Sequence, residues 1–301
     1  MSSLIATIGS FDGVHLGHRH ILNELVLAAR ERDLIPAVVT FSNHPLEVIA
    51  PEKAPALLSS PEEKRNLLMA AGPNVVIMSP FTPEVRAQSA SRFLENLRDR
   101  YDVTTLLLGF NNKFGNDPGL SFADYQQIAS ELGMEIIRST EASVNEQPVS
   151  STIIRKLLTE NALEEANTML GRPYSITGKV VHGRQIGRTL GFPTANILPD
   201  FPRKLIPGKG VYACNATLSN GKSYPAMVNI GERPTLNDDS TTVTIEAHII
   251  GINRKLYGET VTLQFLHFLR NEKKFHSLDQ LRDQLQIDKI QAINILEFSN
   301  L

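Results

Sequence analysis

The sequence predicts an α/β protein of two domains, an open doubly wound parallel sheet followed by a small antiparallel β-barrel. Three observations carry that expectation. In the first half, continuous apolar runs of strand length alternate with amphipathic helical stretches, the pattern of strands buried on both faces. In the second half the apolar period drops to two, and short strands follow one another without intervening helices. Between the two patterns lies Gly171-Arg172-Pro173, a turn and breaker cluster. At 301 residues the chain has room for two cores, taking about 150 residues per domain.

The predicted strands of the first domain are 4–8, 36–41, 75–78, 104–108 and 134–137. A helix is expected from about His18 to Arg32, with Ile21, Leu22, Leu25 and Ala29 on one face. The next begins at Ser60-Pro61-Glu62-Glu63, where Ser60 caps, Pro61 suits the first helical position and Glu63 completes a capping box. Two more are expected over 90–98 and 122–132, the latter stopped by Gly133. After a short helix over 163–170, strands are expected at 176–182, 211–217, 224–230, 242–249 and 261–265. A final helix starts at Ser277, with Gln280 completing a capping box and Leu278, Leu281 and Leu285 facing inward. The boundary falls within 158–175, giving expected domains of 1–160 and 161–301.

Composition narrows the function. Apolar residues are 42% and charged ones 21%, too apolar for a disordered chain. Thirty basic against thirty-two acidic residues leave a net charge of −2, no footprint for nucleic acid or an anionic membrane. The single cysteine, Cys214, excludes an internal disulfide and a cysteine-based zinc cluster. No apolar run approaches the roughly 18 residues of a membrane span, and the first residues lack the pattern of a signal peptide. A cytoplasmic enzyme is expected.

The first chemistry-bearing stretch is Gly9-Ser10-Phe11-Asp12-Gly13-Val14-His15-Leu16-Gly17-His18, which joins the first strand to the first helix. In a doubly wound sheet this is the crevice where ligands bind, and a helix N-terminus offers free N–H groups to an anion. His15 and His18, three apart, face the same way on a helical start. Two imidazoles there suit a polyphosphate whose charge grows in a transition state. A capped turn with two surface histidines remains the plain reading, and a His-x-x-His zinc site lacks an evident third ligand. Walker-A and protein-kinase signatures are absent.

Phe11 to His18 closely resembles the signature of the HxGH nucleotidyltransferases, specifically the FAD synthetase module of prokaryotic bifunctional riboflavin kinase/FAD synthetases. The resemblance continues at Thr40-Phe41-Ser42-Asn43-His44-Pro45, over 109–115, and at Val149-Ser150-Ser151-Thr152-Ile153-Ile154-Arg155. It implies a Rossmann-like first domain in which His15, His18 and Arg155 are catalytic. Gly9, Phe11, Asp12, Gly17, His44, Asn111, Ser151 and Thr152 are then implied to bind the nucleotide and flavin. Ser151 and Thr152 also suit a helix N-cap, with Arg155 one turn in, where a guanidinium can clamp phosphate oxygens.

In the second domain, Gly178 to Gly183 and Gly187-Arg188-Thr189-Leu190-Gly191-Phe192-Pro193-Thr194-Ala195-Asn196 pack glycines around basic side chains. The combination reads as a phosphate loop followed by oxygen donors for a hard cation. On the 242–249 strand, Val243, Ile245, Ala247 and Ile249 face one way and Thr244, Glu246 and His248 the other. The stretch ending Pro193-Thr194-Ala195-Asn196 resembles the riboflavin kinase motif of the same family, and 229–235 its next segment. Ile245-Glu246-Ala247-His248 is similar to the segment with the kinase's catalytic glutamate; 256–258 and 269–275 resemble its tail. By that resemblance Glu246 is the general base and Thr194 and Asn196 hold Mg²⁺. Gly183, Gly187, Arg188, Gly191, Thr194, Asn196 and Arg270 are implied to bind the substrates.

The resemblance therefore implies phosphorylation of riboflavin to FMN and adenylylation of FMN to FAD, with ATP as co-substrate and no nucleic-acid or membrane partner. The chain departs from the family pattern at Asn111 and Lys113, where an aspartate and an arginine are usual, and at Ser42, usually acidic. Lysine cannot reproduce the bidentate contacts of arginine. These departures bear on the rate or substrate preference of adenylyl transfer, and they make a monofunctional riboflavin kinase with an impaired first module the alternative expectation.

Overall fold

The computed structural model describes residues 3–109, 112–140, 143–144, 147–183, 190–234 and 241–298. Its internal contacts divide the chain into two units, Met1–Ser151 and Thr152–Leu301.

The first unit is built on a parallel sheet of β1 (Leu4–Ile8), β2 (Ile35–Phe41), β3 (Val75–Ser79), β4 (Val103–Leu108) and β5 (Glu135–Arg138), in the order β3-β2-β1-β4-β5. Alternate residues of each strand feed two cores. Ile5 and Val38 pack with Leu22, Leu25 and Leu68 of α1 (Leu16–Arg32) and the later helix Pro61–Ala70. Ala6, Ile8 and Leu106 pack on the other face with Leu94, Leu97 and Tyr125. Burial on both faces is why the strands read as unbroken apolar runs. Chain order reverses about β1, so the loop after β1 opens at the switch point of the sheet.

Helices α2 (Leu46–Ile49), α3 (Pro61–Ala70), α4 (Pro83–Arg86), α5 (Ala90–Tyr101) and α6 (Phe122–Glu131) complete the layers. The capping box at Ser60 forms as expected: Glu63 N–H donates to Ser60 Oγ at 3.1 Å and Ser60 N–H to Glu63 Oε2 at 2.7 Å. Gly133 ends α6 at φ 72°. A two-stranded hairpin, β6 (Ser143–Val144) with β7 (Gln147–Pro148), was not expected.

Helix α7 (Ser151–Thr159) spans the division, and its far end is bonded into the second unit. Gly208 N–H donates to Leu158 O at 2.9 Å, and the Tyr212 hydroxyl donates to Asn161 Oδ1 at 2.7 Å. After α8 (Leu163–Leu170) come β8 (Tyr174–Val181), β9 (Ala195–Pro199), β10 (Gly210–Leu218), β11 (Ser223–Pro234), β12 (Thr241–Ile249) and β13 (Thr260–Arg270). They close a barrel in the order β10-β11-β12-β9-β8-β13, antiparallel throughout. Its interior is filled by buried Tyr212, Cys214, Val228, Ala247, Leu263 and Phe265, so polar chemistry is confined to its outer face and ends.

The last helix, α9 (Leu278–Phe298), lies on that outer face, where Leu281, Leu285, Ala292 and Ile295 meet Ala213, Met227, Leu190 and Phe192. Leu278, expected to face inward, is instead 63% exposed, because it sits in the first turn outside the packed stretch. The helix is fastened electrostatically: Asp288 is fully buried and takes two hydrogen bonds from Arg270 Nε at 2.9 and 3.1 Å and one from its terminal nitrogen at 2.6 Å. Removing one partner of such a pair strands the other charge. Asp288→Ala is expected to cost about 3 kcal/mol of stability; a shift of the denaturant midpoint in urea unfolding of the full chain measures it.

Candidate active sites

In the first unit, the loop after β1 is held by strain and by buried charge. Phe11 and Val14 take left-handed φ of 47° and 40°, beside Gly13 at 80°. For a β-branched residue this conformation costs about 1–3 kcal/mol and persists only when the surroundings impose it. Both side chains are buried, and the Asp12 carboxylate between them accepts hydrogen bonds from Leu58 N–H, Ser59 N–H and the Ser59 hydroxyl at 3.0, 3.0 and 3.1 Å. Asp12, implied to contact the ligand, is turned into the protein and fixes the loop. Ser151, the first residue of α7, donates its hydroxyl to Asp12 O at 2.9 Å. Its side chain thus goes to the loop that carries the histidines.

His15 is the N-cap of α1. Its Nδ1 accepts from His18 N–H at 3.3 Å, which leaves the ring proton on Nε2. The two imidazoles stack at 3.6 Å with an interplanar angle of 17°, and Phe11 meets His18 edge-on at 5.1 Å. Gly9 and Gly17 make room for these rings: a Cβ on Gly9 would lie 3.0 Å from Phe11, and one on Gly17 3.3 Å from His15. Burial, His15 and Lys64 hold His18 well below the usual histidine range, so the ring is neutral at pH 7. Its Nδ1 is buried with no partner among the described residues. A desolvated imidazole with an unused polar atom is poised for a ligand rather than for the fold.

His44 caps the next strand-end loop, its Nδ1 accepting from Leu46 N–H at 3.1 Å. Asn112 closes the loop after β4 by donating to Ile8 O at 2.6 Å. Lys113 is exposed, and Asn111 lies outside the described residues. Thr152 and Arg155 lie on α7, within the second unit by contacts.

In the barrel, strand register assembles the site. Glu246 on β12 pairs with Asn196 on β9 on one side and with Asn229 on β11 on the other. Cross-strand partners point to the same face, so the three polar side chains form a row on the outside of the barrel. Thr194 joins it, its hydroxyl 3.5 Å from Glu246 Oε2. Gly183 is required beside this row: a Cβ there would lie 2.0 Å from Asn196 Nδ2. His248, two residues along the same face as Glu246, donates a ring N–H to Pro193 O at 2.9 Å and so holds the backbone that precedes Thr194. Burial lowers its pKa. A cleft of about 330 Å³ opens against Thr194, lined also by Val180, Pro193, Asn253 and Tyr257, within the usual size range for small-molecule sites.

The Thr194 hydroxyl, which borders the cleft, and the Asn196 amide oxygen, which lies against Gly183, are hard donors. They suit Mg²⁺, which takes few protein ligands and keeps phosphate oxygens and water for the rest. Gly191, at φ 84°, faces open space. Arg270 is committed to Asp288 and to Asn271 O, so its main contacts are structural. Gly187 and Arg188 lie outside the described residues. Sequence reasoning gave no role to Asn229, Ser59, Lys64 and Asn112, although Asn112 and Asn229 lie within the 109–115 and 229–235 segments that carry the resemblance. Register shows what Asn229 stands beside, and the other three depend on knowing which loops meet.

The lowered pKa of His18 has a pH signature. Between its folded value and the ordinary 6.5, the unfolded chain takes up a proton that the folded chain refuses, so stability falls as pH drops below 6.5. Titration of the ring by NMR is expected to show a midpoint below 6.5, and His18→Asn to flatten that part of the stability–pH curve.

Comparison with known proteins bears on both sites. The FAD synthetase family matches residues 1–153 and the riboflavin kinase family residues 170–296. A bifunctional riboflavin kinase/FMN adenylyltransferase of Haemophilus influenzae is 38% identical over 283 residues, covering 94% of this chain and 91% of its own length. Its counterpart in Escherichia coli K12 is 36% identical over 289 residues, covering 96% and 91%. A crystal structure from Streptococcus pneumoniae, described as a macrolide-efflux protein, has a TM-score of 0.89 at 29% identity and covers 97% of this chain and 94% of that one. Among the described residues no helix here is long and apolar enough to cross a membrane. Two family matches in order and relatives aligned almost end to end place this chain in the bifunctional riboflavin kinase/FMN adenylyltransferase family.

Proposed function

We propose that the chain carries both activities of its family, phosphorylating riboflavin with ATP and then adenylylating the FMN with a second ATP. The observation that carries this reading is that each unit assembles its own polar constellation: the stacked histidines on the β1 loop, and the Glu246 row on the barrel. In the barrel, Glu246 accepts the proton of the riboflavin 5′-hydroxyl as that oxygen attacks the γ-phosphorus, and ADP leaves. Thr194 and Asn196 would hold Mg²⁺, which neutralises phosphate charge when bound. Asn229 and the cleft beside Thr194 orient the substrates.

In the first unit, an oxygen of the FMN phosphate attacks the α-phosphorus of ATP; the bond to the β-phosphate bridging oxygen breaks and pyrophosphate leaves. His15 and His18 donate hydrogen bonds to the phosphate oxygens as charge builds there, aided by backbone N–H groups at the start of α1. The resemblance assigns Ser151, Thr152 and Arg155 to phosphate binding as well. A kinase with an impaired first module is not favoured, since the histidine pair is intact and the FAD synthetase family matches the whole first unit. The reading places the protein in the cytoplasm, with riboflavin, FMN and ATP as its small-molecule partners.

Two substitutions separate the sites. His18→Ala is expected to slow conversion of supplied FMN to FAD by about 100-fold while FMN formation continues. Glu246→Gln is expected to slow FMN formation by at least about 100-fold and leave FAD formation from FMN intact. Chromatography of the flavins reads both; a folded His18→Ala protein that made no FMN would contradict the two-site assignment. Gly183→Ala, which displaces Asn196, is expected to lower FMN formation by roughly 10-fold or more with adenylyl transfer unchanged.

A further inference from the structure

Lys64 is the lysine in the first turn of α3, a helix whose sequence gives it the look of a solvated charge. It is instead buried, with 6% of its surface exposed. Its ammonium donates to Ser10 O at 3.0 Å and to Phe41 O at 2.5 Å. Ser10 belongs to the loop of Phe11, Asp12 and His15, and Phe41 ends β2, immediately before the loop of His44. Ser10 O also receives the Thr40 hydroxyl at 3.2 Å, and Gly9 N–H bonds Val39 O at 3.1 Å. One side chain thus crosslinks two strand-end loops that both carry candidate site residues.

Burying an ammonium is costly, and a fold that needed only a fastener between two carbonyls could use a neutral donor. The charge has two electrostatic neighbours. Asp12, whose carboxylate bonds to the 58–59 segment just before Lys64's own helix, attracts it, and the ammonium adds to burial and His15 in disfavouring a proton on His18. The ammonium is therefore felt in the histidine pair itself, where polyphosphate charge is to be received.

We propose that Lys64 is a positioning residue of adenylyl transfer: bonded to the carbonyls of Ser10 and Phe41, it sets the spacing between the His15/His18 loop and the His44 loop, and it holds a buried positive charge against the loop that receives the anionic phosphates. This rests on the adenylyltransferase reading. The residue acts through the backbone carbonyls and through its field, with no covalent role.

The test uses the full chain, with the dispersed amide NMR signals of the first unit reporting on its folding in every sample and the barrel's kinase activity reporting on the second. Lys64→Met removes both hydrogen bonds and the charge; Lys64→Arg keeps the charge but not the geometry. With FMN and ATP supplied, Lys64→Met is expected to lower kcat for FAD formation by about 100-fold, the scale of a misplaced reacting group, with FMN formation from riboflavin within twofold of the unsubstituted protein. The His18 ring midpoint, read by NMR, is expected to rise in Lys64→Met while staying below 6.5, since burial and His15 still hold it down, and to be unchanged in Lys64→Arg, whose kcat falls less. Loss of activity with the His18 midpoint unmoved, or a Lys64→Met protein within threefold of the original kcat, overturns the proposal. If Lys64→Met does not fold, Lys64→Arg decides: a His18 midpoint that rises there as well overturns it. An unsubstituted protein that made no FAD would instead overturn the adenylyltransferase reading, and the role of Lys64 with it.

Discussion

A buried carboxylate and a buried ammonium, Asp12 and Lys64, set the conditions under which the first site exists. A loop that is to present imidazoles at a helix start to phosphate must keep them turned toward the ligand, yet its own backbone must be held. Here the holding is done from behind. Asp12 takes three hydrogen bonds from the 58–59 segment, and Lys64 bonds the carbonyls of Ser10 and Phe41. With the loop fixed, Phe11 and Val14 can be kept at left-handed φ, His15 caps α1, and His18 is stacked on it with Nδ1 unused. The strain at Phe11 and Val14 lies within the loop that builds the site.

The barrel meets the same requirement with ladder hydrogen bonds. Backbone groups of β9, β12 and β11 satisfy one another, which frees Asn196, Glu246 and Asn229 to stand side by side on the outer face. The interior is closed to polar chemistry by Tyr212, Val228 and Phe265, so the site depends on register rather than on a cavity inside the barrel. A slip of one residue along β12 would turn Glu246 into that apolar interior. His248, on the same face, bonds Pro193 O and ties the Thr194 segment to this register.

Much of this was legible in the sequence. Unbroken apolar runs correspond to a sheet covered on both faces, and the alternation around Glu246 correctly put Ile245 and Ala247 inside. The site motifs were assigned through their resemblance to a known family, whose segments are short and contiguous enough to be matched locally. What was not legible depends on tertiary neighbours. Strand β9 was missed because Ala195–Pro199 carries an exposed Leu198 and a terminal proline, with no clear alternation. Asp12 was implied by the resemblance to contact the ligand, and nothing local shows that Leu58 and Ser59 approach it from 46 and 47 residues away. Lys64 was not singled out because a ten-residue helix does not declare which loops cover its first turn. Leu278 fits the helical period but precedes the stretch that meets the barrel.

The central claim, that one chain performs two successive transfers at two separately built sites, is tested most directly by following flavins over time. The purified protein is incubated with riboflavin, ATP and Mg²⁺, and in parallel with FMN, ATP and Mg²⁺, and the products are resolved by chromatography. The account predicts FMN followed by FAD in the first mixture and FAD in the second. FMN accumulating in the first mixture, with no FAD in either, would contradict it and leave a kinase joined to a silent nucleotide-binding fold.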